Sequence, residues 1–213
     1  MRTAGAGPGG FEKRDGSMTV GQDIIMAGYT GYAGTRIAAK TGEARLSGRF
    51  LPGFLQELSR PEGYDVKAWL ETALAKKHCP VTSYEYAGEG GILAALWNLS
   101  GIFNAGIEVD LRLFPIRQVT VEVCELFELN PYRLYCQNCA VFTAFGGSML
   151  VKELRAQGIP AAMIGSVVSG DARHISHGAE SAGFLERPQP DEIYKIDPEA
   201  AFDESRVPDL IEG

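Results

Sequence analysis

Apolar segments alternate with polar and glycine-rich segments along most of the chain, and this pattern predicts alternating strands and helices. Residues 107–113 alternate strictly between apolar and charged side chains, which predicts a strand buried on one face. Other apolar segments predict strands at 23–28, 79–87, 134–145 and 161–168, with an edge strand or loop from His174 onward. Strands interspersed with helices predict an α/β sandwich in which helices pack on a mixed sheet.

The helices are predicted from apolar residues that recur every three to four positions. Asp65 is expected to cap a helix at 66–77, and Ser148 is expected to cap one at 149–157 that ends at Gly158. Residues 119–129 fit either a strand or a helix, and the helical interpretation is preferred. Further helices are predicted from Thr35, after Pro52, and at 92–99 with an end at Ser100-Gly101.

Composition places the chain among ordinary globular proteins, with 213 residues, 45% hydrophobic and 22% charged. We expect a Gly-rich lead-in at 1–20, one domain at 21–196 and an acidic tail at 197–213. No apolar segment is long enough to cross a bilayer and no signal segment is visible, so a cytoplasmic location is expected. The net charge of −7 argues against nucleic acid or membrane as a partner.

Four local motifs occur in an order that resembles the C-terminal domain of proteins related to aminoimidazole ribonucleotide (AIR) synthase. The resemblance covers roughly residues 20–196. Its motifs are Gly21–Met26 followed by Gly31-x-x-Gly34-Thr35; Glu89–Trp97; Gly106–Asp110 with Pro115–Gln118, Glu122, Cys124–Phe127 and Asn130–Tyr132; and Gly158–Ala162 with Ile164-Gly165 and Asp191–Tyr194.

The resemblance implies a fold and a division of labour. Relatives include AIR synthase, selenophosphate synthetase, thiamine-monophosphate kinase and a hydrogenase maturation dehydratase. Their N-terminal halves pair and carry most contacts to ATP and magnesium, while the C-terminal half closes the cleft and helps to hold substrate or phosphate. Only about 20 residues precede the first strand here. We therefore expect an ATP-binding partner subunit, ATP and magnesium only together with that partner, no cofactor on this chain alone, and a homo-oligomer.

Gly90 and Gly91 are the leading candidates for phosphate binding, because glycines at a helix start let backbone N–H groups approach an anion closely. A tight turn that needs glycine for backbone reasons alone is the alternative. Glu89 is adjacent, and Glu89 and Glu85 are the candidate catalytic residues, with acid/base chemistry as the expected role of Glu85.

This loop departs from the family pattern. Relatives commonly carry a His or Arg, an Asp and a Thr at the positions held here by Glu85, Tyr86 and Gly88. Only Glu89 and the glycine pair match, so the usual chemistry of the loop is not assured by the resemblance.

Gly31, Gly34 and Thr35 form a second candidate phosphate-binding turn, again at a predicted helix start. Related chains often carry a Glu where Ala33 stands here. Capping of the helix by Thr35 is the alternative explanation of this motif.

Cys136 and Cys139 form a C-x-x-C motif, which occurs in redox pairs and in half of a zinc site. In one regular strand, however, residues three apart point to opposite faces, so a bend would be required. Two buried, reduced thiols are the alternative. Cys79 and Cys124 are single and apolar in context, and His174 and His177 make a weak metal signal. His78 follows Lys76-Lys77, where a position at the C-terminal end of a helix explains it.

Three functions therefore remain open. The first is the C-terminal subunit of a split ATP-dependent enzyme, active only with its partner. The second is a binding or assembly module that kept the fold and lost the chemistry. The third is a thiol-based redox or zinc protein based on the C-x-x-C motif alone.

Overall fold

The computed structural model describes residues 16–60, 62–76, 79–178, 182–200 and 202. Within them, seven strands form one mixed sheet in the order β2-β4-β1-β5-β3-β6-β7. Neighbouring strands are antiparallel except β3 and β6, which are parallel. The strands are β1 (Asp23–Ala27), β2 (Val81–Tyr86), β3 (Gly106–Asp110), β4 (Ala140–Ala144), β5 (Ala161–Val168), β6 (Arg173–Ser176) and β7 (Ala182–Phe184).

Helices surround this sheet, as the alternating pattern predicted. In the described part of the chain they are α1 (Tyr32–Thr41), α2 (Glu43–Ser47), α3 (Pro52–Leu55), α4 (Val66–Leu74), α5 (Gly91–Phe103), α6 (Gln118–Phe127) and α7 (Gly147–Ala156). Short 3-10 turns lie at Gln56–Ser59, Leu111–Leu113, Pro131–Arg133 and Glu192–Lys195. Among the described residues, no helix is long and apolar enough to span a membrane.

The central strand β1 is buried on both faces, which explains why its sequence is a continuous apolar run. Ile24 and Met26 face a core that contains α5, whereas Ile25 and Ala27 face the core formed by α4 and α7. All four side chains have no exposed surface. The expected sandwich of helices on a mixed sheet is therefore confirmed.

A third hydrophobic cluster lies between α1 and α6 and includes Tyr32, Val123 and Leu134.

The strand directions place two turns and one loop at the same end of the sheet. Since β1 and β2 both run antiparallel to β4, the ends of β1 and β2 meet the start of β4 at one end of the sheet. We call this the glycine end, defined by the turns at 28–34 and 87–91 and the loop at 134–139.

Two predicted strands are shorter than expected. The strand predicted at 134–145 begins only at Ala140, because Asn138 adopts a positive φ of 57°. The Asn138 side chain holds this bend by accepting from the Val66 amide at 2.8 Å and donating to the Tyr64 carbonyl at 2.8 Å. The strand predicted at 107–113 ends at Asp110, which caps a 3-10 turn.

Helix ends were predicted with mixed success. Asp65 does cap α4 through the Ala68 amide at 2.9 Å. The prediction that Ser148 caps α7 was wrong. The helix begins after Gly146, and the Gly147 amide donates to Asp23 at 2.7 Å. Helix α5 does not end at Ser100-Gly101 but runs on to Phe103.

The division of the chain into lead-in, domain and tail stays a prediction. Residues 1–15 and 203–213, which fall in the lead-in and tail, lie outside the described residues, as does His78. Phe202, in the segment named as the tail, stacks on Tyr135 with ring centroids 4.4 Å apart.

Candidate functional site

The start of α5 carries Gly90 and Gly91, the leading phosphate-binding candidates, and both have positive φ. The Gly90 amide donates to Asp191 Oδ2 at 2.8 Å, and the Gly91 amide donates to the Gly88 carbonyl at 3.1 Å. A Cβ on Gly91 would lie 2.5 Å from the Tyr132 carbonyl oxygen. Backbone packing therefore requires glycine at position 91. The amide N–H of Gly90 is already bonded to the Asp191 carboxylate.

Asp191 is a buried acid beside the start of α5, with only 2% of its surface exposed. Its second oxygen, Oδ1, accepts from the Ile193 amide at 3.0 Å. Burial raises the pKa of Asp191 from an ordinary 3.8 to about 6, and the backbone donors around it only partly oppose this shift. A carboxyl group with such a pKa can exchange a proton near neutral pH.

The second glycine turn, at the start of α1, also bonds inward. The Gly31 amide donates to Cys136 Sγ at 3.0 Å, and the Gly34 amide donates to the Tyr135 carbonyl at 2.9 Å. Thr35 is fully buried, and its hydroxyl donates to the Gly31 carbonyl at 2.7 Å, so it is not the N-cap. In this conformation the two amides hold the loop at 134–139 to α1.

The two candidate catalytic glutamates lie on different elements. Glu85 is half-buried near the end of β2, where it pairs with Val141. Glu89 is exposed in the turn before α5 and accepts a hydrogen bond from the Tyr194 hydroxyl at 3.0 Å. Burial, and then the bond to Glu89, raises the pKa of Tyr194, so the phenol is a donor at neutral pH.

Cys136 and Cys139 lie in the bent loop before β4, so the bend required for them to meet is present. Both sulfurs contact the turn before α1, because Cys136 Sγ accepts from the Gly31 amide at 3.0 Å and Cys139 Sγ donates to the Tyr29 carbonyl at 3.0 Å. The loop backbone also reaches the α5 turn, since the Cys136 amide donates to the Gly88 carbonyl and the Ala87 amide to the Cys139 carbonyl. The C-x-x-C loop thus bridges the two glycine turns.

A metal centre receives no support in the described part of the chain. No group of three or more His, Cys, Asp or Glu side chains is placed there to hold an ion. His174 instead packs against the Phe184 ring with centroids 4.8 Å apart, and His177 is exposed.

A small open pocket of about 130 Å³ lies beside the start of α5. Leu93, Ala94 and Ile175 contribute to its apolar lining, and its charged lining residues are Arg133, Arg187 and Glu186. Arg133 forms an ion pair with Glu186, whereas Arg187 makes no ion pair with any described residue. An unpaired arginine beside an apolar lining suits a ligand that joins an anionic group to a less polar body.

Sequence reasoning missed Asp191, Arg133 and Arg187 as members of this site. Asp191 was quoted only as part of a family motif, and the two arginines belong to no motif at all. They come from positions far apart along the chain, so spacing carried no signal for their proximity to Gly90. The short Asp191–Tyr194 segment, an acid beside aromatic and apolar residues, was the one available hint.

Comparison with known proteins identifies the fold. No protein-family model matches the sequence, and no curated protein matches it. Among solved structures, HypE from E. coli, a hydrogenase maturation protein, aligns with a TM-score of 0.69 and 20% identity over 90% of this chain and 57% of HypE. Thiamine-monophosphate kinase from Stenotrophomonas maltophilia K279a aligns with a TM-score of 0.59 and 20% identity over 78% of this chain and 53% of the kinase.

T. maritima PurL complexed with ATP aligns more distantly, with a TM-score of 0.52 and 17% identity over 83% of this chain and 27% of PurL. The architecture is therefore that of a mixed-sheet α/β domain shared by larger proteins. It is the AIR synthase-related fold, which confirms the predicted resemblance. The chain spans little more than half the length of HypE or of the kinase.

Proposed function

We propose that this chain is the C-terminal half of an AIR synthase-like, ATP-dependent enzyme and acts with an ATP-binding half carried by a separate polypeptide. The observation that carries the proposal is the pairing of that fold with a pocket at the start of α5 that is lined by two arginines. Glu186 also lines the pocket and pairs with Arg133, so Arg187 is the arginine of this pocket without an ion-pair partner among the described residues. The role assigned to the pocket is to hold an anionic group, such as a phosphate, while the partner holds ATP and magnesium.

The relatives support a partner in a general way. One HypE structure is of a HypE–HypF complex, and another is of HypE in complex with ATP. In this proposal Glu89 and Glu85 are the acid/base candidates, and Tyr194 positions Glu89 through its hydroxyl. Asp191 sets the backbone of the turn at Gly90.

The first experiment looks for the partner and its activity together. The tagged full chain would be used to capture proteins from its source organism, and phosphate release from ATP would be measured for each component alone and for the mixture. We expect a captured polypeptide resembling the N-terminal half of an AIR synthase-like enzyme, and turnover only in the mixture. Turnover by the isolated chain, or a mixture no faster than its parts, would contradict the split enzyme.

The second experiment tests the pocket with inorganic phosphate and ATP as calorimetric probes of the mixture. Replacing Arg187 by Ala removes a cation without breaking a described ion pair. We expect binding of the anion to weaken by roughly 10- to 100-fold, in line with about 1.5–3 kcal/mol for a charged hydrogen bond. Arg49→Ala, at an exposed arginine on another part of the surface, is the matched control. Equal losses in the two variants would mean a general charge effect.

A second candidate function, a non-catalytic binding or assembly module, has its own supporting observation. The amides of Gly31, Gly34 and Gly90 all bond to groups of this chain rather than facing an open site. The loop at 85–88 also departs from the family pattern. This alternative predicts no turnover with any partner, and ATP hydrolysis that disappears in Glu89→Ala would exclude it.

A further inference from the structure

The two thiols of the C-x-x-C loop both lie inside the protein. Cys136 has no exposed surface and Cys139 has 1%. The positive φ of Asn138 turns the chain between them, so that both sulfurs contact the same turn, Cys136 at the Gly31 amide and Cys139 at the Tyr29 carbonyl. By contrast, Cys124 is a buried thiol on α6, outside this loop.

The polar contacts of the two sulfurs differ. Cys136 Sγ accepts from the Gly31 amide at 3.0 Å and donates to the Leu134 carbonyl at 3.5 Å, whereas Cys139 Sγ donates to the Tyr29 carbonyl at 3.0 Å. An N–H group aimed at sulfur stabilises a thiolate. The neighbouring Cys136 side chain, together with burial, raises the pKa of the Cys139 thiol well above its usual range. Cys136 is the sulfur that accepts a backbone N–H group and is therefore the attacking sulfur of the pair.

We infer that Cys136 and Cys139 form a reversible intramolecular disulfide by exchange with a low-molecular-weight disulfide. The Cys136 thiolate attacks one sulfur of the reagent, forms a mixed disulfide and releases one thiolate. Cys139 loses its proton to solvent and attacks Cys136 Sγ, which forms the protein disulfide and releases the second thiolate. Two protein thiols are oxidised and one reagent disulfide is reduced to two thiols, so atoms and electrons balance.

The bond would link the two residues through which the loop holds both glycine turns. Cys136 contacts Gly31 through its sulfur and Gly88 through its amide, and the Cys139 carbonyl accepts from Ala87. Because both sulfurs are buried, exchange requires local opening of the loop at 134–139. Once formed, the bond opposes that opening. This inference does not depend on the proposed enzymatic function.

The sequence offers a clean test, because trypsin releases residues 134–152 as one peptide holding both cysteines and residues 118–133 as a separate peptide holding Cys124. The full reduced chain would be incubated with oxidised glutathione, quenched in acid, alkylated in denaturant and digested with trypsin. The peptide masses would then be measured by mass spectrometry. We expect the doubly alkylated 134–152 peptide to fall by about tenfold or more and to be replaced by an unlabelled peptide lighter than the dithiol by two hydrogens. Dithiothreitol should restore both labels.

Cys124→Ser is the matched control, since it removes a buried thiol outside the loop, and it should give the same product. Cys139→Ser should give none of the product that lacks two hydrogens. The measurement on the unaltered protein stands even if a variant fails to fold.

Three results would overturn the inference. One is retention of both labels on the 134–152 peptide after exchange has reached equilibrium. Another is a glutathione adduct that persists on Cys136, which would show that Cys139 cannot reach it. The last is protection of the two thiols from alkylation with no loss of two hydrogens from the peptide. If a chelator removed that protection, a bound metal would be indicated.

Discussion

Replacement of Asp191 by Asn gives the most direct test of the geometry at the start of α5. The carboxylate of Asp191 accepts the Gly90 amide with one oxygen and the Ile193 amide with the other, in a site where 2% of the residue is exposed. Asparagine keeps the shape but carries no charge at any pH. It also offers an NH₂ group where one of the two amides needs an acceptor.

The magnitude follows from the pKa of Asp191, which burial raises from 3.8 to about 6. A raised pKa means that the folded protein binds the proton more tightly than the unfolded chain does. The resulting stabilisation is complete below about pH 4 and is lost as pH rises through about 6. The full span is about 3 kcal/mol, of which about 2 kcal/mol falls between about pH 4.5 and about pH 7.5.

The assay is urea unfolding of the unaltered protein and of Asp191→Asn at several pH values across that range. The free energy of unfolding of the unaltered protein, minus that of the variant, should fall by about 2 kcal/mol as pH rises. Burial also raises the pKa of Glu62, but this group is present in both proteins and cancels in the difference. The offset at any single pH includes the lost acceptor and is not the test.

Glu89→Gln supplies a matched check, because the negative charge of Glu89 contributes to the raised pKa of Asp191. In that background the pH-dependent part of the difference should shrink. A difference between the unaltered protein and Asp191→Asn that stays constant across the range would refute the assignment of a buried, destabilised carboxylate.

Other consequences of the structure can be measured as free energies of unfolding. Gly91→Ala should destabilise the fold by about 3 kcal/mol or more, because positive φ and contact with the loop backbone act together. Gly146→Ala, where φ is positive but the space is open, should cost about 1–2 kcal/mol, and equal costs would contradict this reasoning. Asp65→Ala should lower the free energy of unfolding by about 1 kcal/mol through loss of the α4 cap, and Ser148→Ala should lower it by less than about 0.5 kcal/mol. The reverse order would count against the assignment of the caps. Arg117→Lys should cost about 1 kcal/mol, since the guanidinium packs between two tyrosine rings at 4.1 and 4.5 Å; an unchanged unfolding free energy would argue against that packing.

Much of the fold could be predicted because the relevant signals are local. The continuous apolar run of β1, the apolar face of α4 after Asp65 and the glycine past α7 each depend on neighbours a few residues away. The prediction for 119–129 also held, since a helical face outweighed the β propensity of its valines. The family resemblance, built from four motifs in order, located the fold.

The errors arose where distant residues decide the local conformation. The strand predicted from 134 was wrong because Asn138 is held by the backbone of Tyr64 and Val66, more than 70 positions away. Ser148 did not cap α7 because Asp23, at the start of strand β1, accepts a hydrogen bond from the first amide of the helix. The periodicity of a short segment contains no information about such contacts.

The sequence by itself determined the alternation of buried and exposed positions, and with it the strands, most helices and the shared fold. Only the tertiary structure decided what the motif residues contact: the Gly90 amide donates to Asp191, and the Gly31 amide donates to a cysteine sulfur. It also placed the sulfurs of Cys136 and Cys139 against the same turn and put two arginines in the lining of the pocket beside Gly90. Hydrophobic pattern is a property of neighbours along the chain, whereas a site is made by groups that only folding brings within hydrogen-bond distance.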